Sequence, residues 1–399
     1  MLIAGEPSGD LLAAELVLAL RAQLPDAKFF GAGGPKMAAA GVELAVDLTQ
    51  HAVVGIPSFS KYFALRRVFQ QLLALTIERK PDAIIGVDYG GFNLRFGHAI
   101  KQQVRKQFGH GGSYNTQLHD QLRHGSPKPP EPWLPKIIQF VSPQVWASRP
   151  WRTKQLAADY DLLLSIFPFE KEWYAKRVPQ LPVEFVGHPM LDRIQNSESR
   201  IQNPESKKQD ERPTILLLPG SRKSELGNHL PIMLGAWKYI QGQLPGVRAK
   251  MILPDERIRE LAASAEQAGV EIQIGNLPLA LAKADLAITK TGTVTMECAF
   301  FGVPAVTIYQ QPLLGLALEL GVIRVKSLTM PNLMAGEMVY PEFLAGAATP
   351  ENVAIAALRL LRDEPRRQKI KTQLAQIVAS LGEPGASRRA AAAVLSLFS

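Results

Sequence analysis

Cysteine is almost absent from this chain: of 399 residues, only Cys298 carries a thiol. A single thiol closes no intrachain disulfide, which suits a reducing compartment. Cysteines and histidines nowhere gather at metal-ligand spacing, so no metal site is expected. Long hydrophobic runs are also missing, and no stretch of ~18 uninterrupted apolar residues offers a membrane span. No basic segment precedes an apolar run at the N-terminus, so a secretory signal is not expected. Acids are scarce relative to bases, 36 against 45, which leaves a net charge of +9. That balance favours an anionic partner: a nucleic acid, a phosphorylated metabolite or an anionic membrane surface. No RNA-binding or helix-turn-helix signature accompanies it, so nucleic acid is set aside. A GxGxxG after a strand is lacking too; FGAGGPK comes nearest without the spacing, which disfavours a dinucleotide-dependent oxidoreductase. No GxSxG elbow appears, and a Ser-His-Asp triad around His188 would have to be gathered from distant residues.

What is present is a regular alternation. The runs MLIAG, KFFGAG, AIIGVD, IIQFVS, LLLSIF and VEFVG read as buried strands, and LLAAELVLALRAQL and FALRRVFQQLLALTIERK read as helices between them. After residue 212 the rhythm restarts with TILLLPGS, RAKMIL, VEIQIG, LAITKTG and AVTIY. Such βαβα order predicts parallel sheets covered by helices, and the length predicts two of them. The fold class is α/β: two Rossmann-like domains facing across a cleft. The first is expected over residues 1–194, with a polar Gly/Pro-rich insertion at 110–132, and a linker at 195–212 follows. The second is expected over 213–379, with a final helical stretch, 380–399, that can cross back to the first domain. The first strand is short, so a few residues are expected upstream of it.

Ligands of open α/β sheets bind where strands run into helices, and four such loops hold unusual polar residues. In GEPSGD, Glu6 and Asp10 exceed what capping a helix requires, Ser8 or Asp10 can cap, and Gly9 permits close approach. In VDYGGFN, Asp88 ends a strand and Asn93 can both donate and accept. In LLLPGSRKSE, Gly220 exposes backbone N–H groups, Ser221 donates and Arg222 brings a fork-shaped cation, a set that suits a diphosphate. In AITKTGTVTMEC, Thr291, Gly292 and Thr293 open a helix whose N-terminus is an anion site. Glu297, four residues on, lies on the same helix face and can accept both hydroxyls of a ribose. Asn332, in the loop SLTMPNLMAGE, can bond a phosphate or sugar. The stretch 53–75 is apolar and aromatic with Lys61, Arg66 and Arg67 interleaved; it reads as a core helix or as an apolar face with a cationic rim for an anionic bilayer.

In order along the chain, GEPSGD, FGAGGPKMAAAG, VDYGGFN, FVSPQVWA, FPFEKEWY, VGHP, LLPGSRKSE, TKTGTVTMEC, MPNLMAGE and YPEF resemble the motifs of the lipid-A-disaccharide synthases, glycosyltransferases of the GT-B type. The resemblance spans nearly the whole chain apart from the 110–132 insertion and the linker. It implies an inverting transfer of 2,3-diacylglucosamine from UDP to the 6-hydroxyl of 2,3-diacylglucosamine 1-phosphate. UDP-2,3-diacylglucosamine is then a substrate and no cofactor is implied. It implies a peripheral position on the cytoplasmic face of an inner membrane, and a homodimer is compatible with it. Asp88, with Asp10 and Glu6 behind it, becomes the general-base candidate, and Arg222 the group that meets the leaving diphosphate. Ser8, Gly9, Asn93, Gly220, Ser221, Thr291, Gly292, Thr293, Glu297 and Asn332 become substrate-binding candidates. In two places the chain departs from the family: where many members carry a second acid after the strand, this one has Gly91, and the acid often found just after the glycine of the 53–55 motif is missing, with Pro57 and Ser58 in that region. Two other readings share the motifs: a nucleotide-sugar-binding protein without catalysis, and another GT-B enzyme of UDP-N-acetylglucosamine.

Overall fold

The computed structural model describes residues 1–49, 59–106, 132–194, 212–310 and 325–399, with the backbone alone at 59–62. Residues 110–131 of the insertion and 195–211 of the linker lie outside these, as does the beginning of the 53–75 segment. The chain divides into two compact units: one is Met1–Pro189 with Glu383–Ser399, the other Met190–Gly382. The first unit's chain thus ends at 189, where the sequence suggested 194, and its C-terminal portion begins at 383, where the sequence suggested 380.

Unit 1 is built on seven strands: β1 (Leu2–Ala4), β2 (Phe30–Gly33), β3 (Glu43–Asp47), β4 (Ala83–Val87), β5 (Lys136–Phe140), β6 (Leu162–Ser165) and β7 (Val183–Phe185). Their order is β3-β2-β1-β4-β5-β6-β7, and every pairing is parallel. Helices on both faces bury the sheet, so its central strands are unbroken apolar runs rather than alternating ones. Ile3, Phe96, Ile100 and Phe140 are at most 1% exposed, and each such side chain contributes roughly 1.5–3 kcal/mol by leaving water. The helix Ala386–Leu395 packs on the helix Pro7–Arg21, and Arg389 Nε donates to the Val186 carbonyl at 2.8 Å.

Unit 2 is built on β8 (Thr214–Leu218), β9 (Arg248–Leu253), β10 (Glu271–Ile274), β11 (Leu286–Lys290), β12 (Ala305–Tyr309) and β13 (Glu342–Leu344). Its order is β10-β9-β8-β11-β12-β13, again all parallel. Both sheets therefore change winding direction once, between β1 and β4 in unit 1 and between β8 and β11 in unit 2. A crevice opens at the carboxyl ends of the strands at each such switch point.

The helix Phe59–Arg79 buries Val68 and Leu72 in the core of unit 1, while Phe63 stays 59% exposed beside the exposed Arg66 and Arg67. Among the described residues, no helix is long and apolar enough to cross a membrane.

Candidate functional site: two switch-point crevices

In unit 1 the loop after β1 and the loop after β4 meet at the switch point. The chain leaves β4 through two consecutive residues in the left-handed region, Asp88 (φ 51°) and Tyr89 (φ 45°). Non-glycine residues enter that region rarely and at a cost of order 1–3 kcal/mol each, so surrounding contacts must hold them there. Two buried amides do so: Gln139 Nε2 and Asn93 Nδ2 each donate to the Asp88 carbonyl at 2.8 Å. The same Gln139 Nε2 also reaches the carbonyls of Phe140 and Val141 at 3.3 Å, and Val141 is itself left-handed at φ 64°. The two amides crowd over Gly86, where a methyl group would sit 2.6 Å from Gln139 Oε1. The Tyr89 ring in turn lies against Gly5, where a Cβ would fall 2.2 Å from it.

The Asp88 carboxylate faces the loop after β1, with Ser8 Oγ at 3.5 Å from its Oδ2. Burial raises its pKa above the ordinary carboxylate value, and the nearby charge of Glu6 raises it further. The Tyr89 hydroxyl is pushed up by the same two causes in the same order. An acid with a raised pKa at a switch point, in a strained turn, is suited to take a proton from a substrate hydroxyl.

Three expectations for this crevice are corrected. Asp10 is only 2% exposed and caps a neighbouring helix: its Oδ1 accepts from Gly34 and Met37 N–H at 2.8 and 3.0 Å, and its Oδ2 from Lys36 N–H at 3.0 Å. With its oxygens committed to the start of the helix Pro35–Ala39, it is no base. Asn93, also 2% exposed, holds Asp88 rather than a substrate. Gly9 is buried, and its bare Cα allows the first helix to approach β4: an added Cβ would lie 3.3 Å from the Val87 carbonyl. Glu6 stands as the N-cap residue of that first helix without a side-chain cap bond.

In unit 2 the loops after β8 and β11 meet at their own switch point. Gly220 (φ 122°) and Gly292 (φ 131°) turn the chain from strand to helix in backbone regions that side chains avoid. The hub is Glu225, in the first turn of the helix Lys223–Gln243. Its Oε1 receives Lys290 Nζ at 2.7 Å and Arg222 at 3.2 Å, and its Oε2 receives the Ser221 N–H at 2.8 Å. Burial opposes ionisation of Glu225, but the Lys290 hydrogen bond and charge, then Ser221 and Arg222, outweigh it and hold its pKa below the ordinary value. Behind the loop, buried His229 Nδ1 lies 3.0 Å from the Pro219 carbonyl, and its pKa is lowered chiefly by burial. Gly292 and Thr293 are exposed at the start of the helix Thr293–Phe300, whereas Thr291 donates its N–H to the Ile308 carbonyl and extends the sheet ladder. Glu297 is half-buried; desolvation raises its pKa while the charge of Arg193 opposes the shift.

Neither Glu225 nor Lys290 was singled out from the sequence. Their pairing joins residues 65 apart, which only the parallel β8–β11 register brings together. Gln139 was missed because it lies inside the apolar run IIQF.

Asn332 is the last correction. It is 2% exposed. Its Oδ1 accepts from Val339 and Tyr340 N–H at 2.9 and 2.8 Å, and its Nδ2 donates to Tyr340 O and Glu342 Oε1 at 2.8 and 2.7 Å. All of its bonding capacity closes the 332–342 turn. Asp10→Ala and Asn332→Ala each strand two or more buried N–H groups, so each is expected to cost about 3 kcal/mol. A fall in the urea midpoint with unchanged slope would register that cost.

Among the described residues, no group of His, Cys, Asp and Glu stands close enough to hold a metal ion.

The profile of the Lipid-A-disaccharide synthetase family matches residues 1–109 and 112–397. The lipid-A-disaccharide synthase of Trichlorobacter lovleyi is 35% identical over 402 residues, covering 100% of this chain and 97% of the relative. That of Syntrophus aciditrophicus is 33% identical with the same coverage. Among solved structures, the UDP-GlcNAc 2-epimerase of Neisseria meningitidis bound to UDP-GlcNAc superposes with a TM-score of 0.60 at 11% identity, over 99% of this chain and 98% of that one. Acinetobacter baumannii MurG gives a TM-score of 0.54 at 14% identity, with the same coverage. These likenesses establish the fold as GT-B, and with the crevices and their ordered motifs in place, the sequence match over the whole chain leaves one conclusion: the chain belongs to the lipid-A-disaccharide synthase family.

Proposed function

We propose that the protein transfers 2,3-diacylglucosamine from UDP to the 6-hydroxyl of 2,3-diacylglucosamine 1-phosphate, with inversion at the anomeric carbon, giving lipid A disaccharide 1-phosphate and UDP. Family membership supplies the reaction class. The observation that carries the reading is the carboxyl of Asp88, with its raised pKa, beside Ser8 and Glu6 at the switch point of unit 1.

The attacking hydroxyl must lose its proton as the new glycosidic bond forms. Asp88, ionised and poorly solvated, is the group to receive it. As the bond to the anomeric carbon breaks, negative charge grows on the diphosphate. In unit 2, Arg222, Lys290 and the N–H groups opening the helix Thr293–Phe300 are the groups to offset that charge. Glu225 holds the two cations in place before the donor arrives. Glu297 is assigned to the ribose hydroxyls.

Acylated substrates reside in a bilayer, and the exposed Phe63 with Arg66 and Arg67 forms a surface suited to an anionic one. The protein is therefore assigned to the membrane periphery.

The test is direct. The purified protein is given both substrates, and the expected products are the disaccharide 1-phosphate and UDP in equal amounts. UDP without disaccharide would instead identify a hydrolase or an epimerase-like enzyme. Donor binding without turnover would identify a nucleotide-sugar-binding protein, the reading that Gly91 keeps in play.

A further inference from the structure

Three loops at the carboxyl edge of the unit 1 sheet, those after β5, β6 and β7, have no part in the mechanism above. They carry the stretches FVSPQVWA, FPFEKEWY and VGHP, and the first two meet at a buried acid. Glu170, in the first turn of the helix Pro168–Ala175, is 1% exposed. Trp146 Nε1 donates to its Oε1 at 2.9 Å. Burial pushes its pKa up to about 8, and Trp146, the Phe167 N–H and the Ser142 hydroxyl offset only part of that shift. No cation is among the groups that act on it. The titratable groups packed around it are Tyr174 and His188. The Tyr174 pKa is raised first by burial and, to a lesser degree, by the charge of Glu170. The His188 ring lies 5.5 Å from that of Phe167.

The contacts of this acid run to the Asp88 turn. Ser142 Oγ donates to the Tyr174 hydroxyl at 3.3 Å, and that hydroxyl donates to the Pro143 carbonyl at 2.9 Å. Pro143 packs against Gly90, where an added Cβ would lie 3.4 Å from Pro143 Cβ. At the start of the same loop, the Phe140 carbonyl accepts the Asp88 N–H at 2.9 Å. Gln139 Nε2 spans the carbonyls of Asp88, Phe140 and Val141. The segment 140–146 is therefore bound to the left-handed turn at one end and to Glu170 at the other. Ser142, Trp146, Glu170 and Tyr174 are each at most 9% exposed. In so closely packed an interior, a shift of one displaces the others.

We propose that Glu170 is a positioning residue for the transfer: through Trp146, Ser142 and Tyr174 it fixes the segment 140–146, against which the Asp88 turn is built. This assignment rests on the transferase reading above. Glu170 does this as the neutral acid, because a carboxylate buried without a cation is costly. Once ionised, it competes for the Ser142 hydroxyl proton. That frees the Tyr174 hydroxyl from Ser142 and loosens Pro143, the wall beside the Asp88 turn.

The experiment measures kcat and KM across neutral and alkaline pH for the wild type, Glu170→Gln and Glu170→Ala. In the wild type kcat is expected to fall as the pH rises through about 8, while the KM for the UDP-sugar, a property of unit 2, holds. Glu170→Gln keeps the shape, still accepts from Trp146 and cannot ionise, so its rate should hold through that range. Glu170→Ala strands the Trp146 N–H and opens a gap. The base is then misplaced, and kcat at neutral pH should fall about 10–100-fold, with the glutamine recovering most of the loss. Thermal melting identifies an alanine variant that has merely unfolded, and the glutamine variant then decides alone. Hydrogen exchange gives a readout that needs no turnover. The Asp88 N–H should exchange faster in the wild type than in Glu170→Gln at the same alkaline pH, and equally fast at neutral pH. That difference in a protein that transfers nothing would uphold the positioning role while sinking the transferase reading. Equal exchange at every pH, or an alkaline limb shared by the wild type and Glu170→Gln, overturns the proposal.

Discussion

Asp88→Asn is expected to lower kcat by about 100-fold or more, the usual contribution of a positioned general base, while leaving the KM for the UDP-sugar nearly unchanged. The amide keeps the shape of the carboxyl, and the clamp on the residue's backbone carbonyl by Gln139 and Asn93 is untouched. Loss of turnover could then not be blamed on a collapsed turn. Stability should move the other way. The pKa of Asp88 is raised in the folded protein, first by burial and then by Glu6. The folded state therefore holds the proton more tightly than the unfolded chain does. Stability falls as the pH rises through the unfolded value towards the folded one, and the full penalty is present once both states are ionised. At neutral pH the asparagine variant escapes that penalty and should unfold at a temperature equal to or above the wild type's. The same shift sets the acid limb of the pH profile. Activity should rise as Asp88 ionises, at a pH above the usual aspartate range, and the limb should move down in Glu6→Gln. Rates measured across pH for the three proteins check all of this. An Asp88→Asn enzyme with wild-type turnover would remove Asp88 as base.

How much of this could be read from residues alone depended on what burial does to sequence. Central strands of a parallel sheet are covered on both faces, so IIGV, KIIQF and TILLL stand out as apolar runs. Two of the four edge strands, in VEFVG and VEIQIG, stood out, and the other two did not. Glu43–Asp47 alternates exposed and half-buried positions, and Glu342–Leu344 has only three residues. The loops at the switch points were legible because small and acidic residues interrupt apolar runs there. Which member of a loop faces a ligand was not. Asp10 and Asp88 are both acids in loops that follow strands, yet one is buried against three N–H groups while the other faces Ser8. Asn332 likewise looks available in sequence, and only the backbone groups it collects show that it is consumed by the fold. Residues whose role depends on a distant neighbour, such as Glu225 with Lys290 or Gln139 with Asp88, leave no local signal.

For Arg222→Ala the expected loss is about 100- to 1,000-fold in kcat/KM, the range for removing one group that meets charge as it develops in the transition state. UDP should also bind more weakly as a product inhibitor. The fold should survive, because Glu225 keeps its 2.7 Å contact with Lys290 and the N–H of residue 221. Glu225 itself stays ionised at working pH, since its pKa is depressed. The stability it brings is present above the unfolded carboxylate value and is lost only as the pH falls through the folded one. A change in activity near neutrality is therefore not due to this carboxylate. Arg222→Lys should recover part of the rate but not all of it, because an ammonium supplies charge without the planar fork that pairs two phosphate oxygens. The double variant Arg222→Ala/Lys290→Ala should lose more than either single one, with the excess over additivity measuring how far the two cations act on the same diphosphate. If Arg222→Ala left both the turnover and the UDP affinity at wild-type values, the diphosphate would have to lie away from the switch point of unit 2, and the division of labour between the two sheets would fall with it.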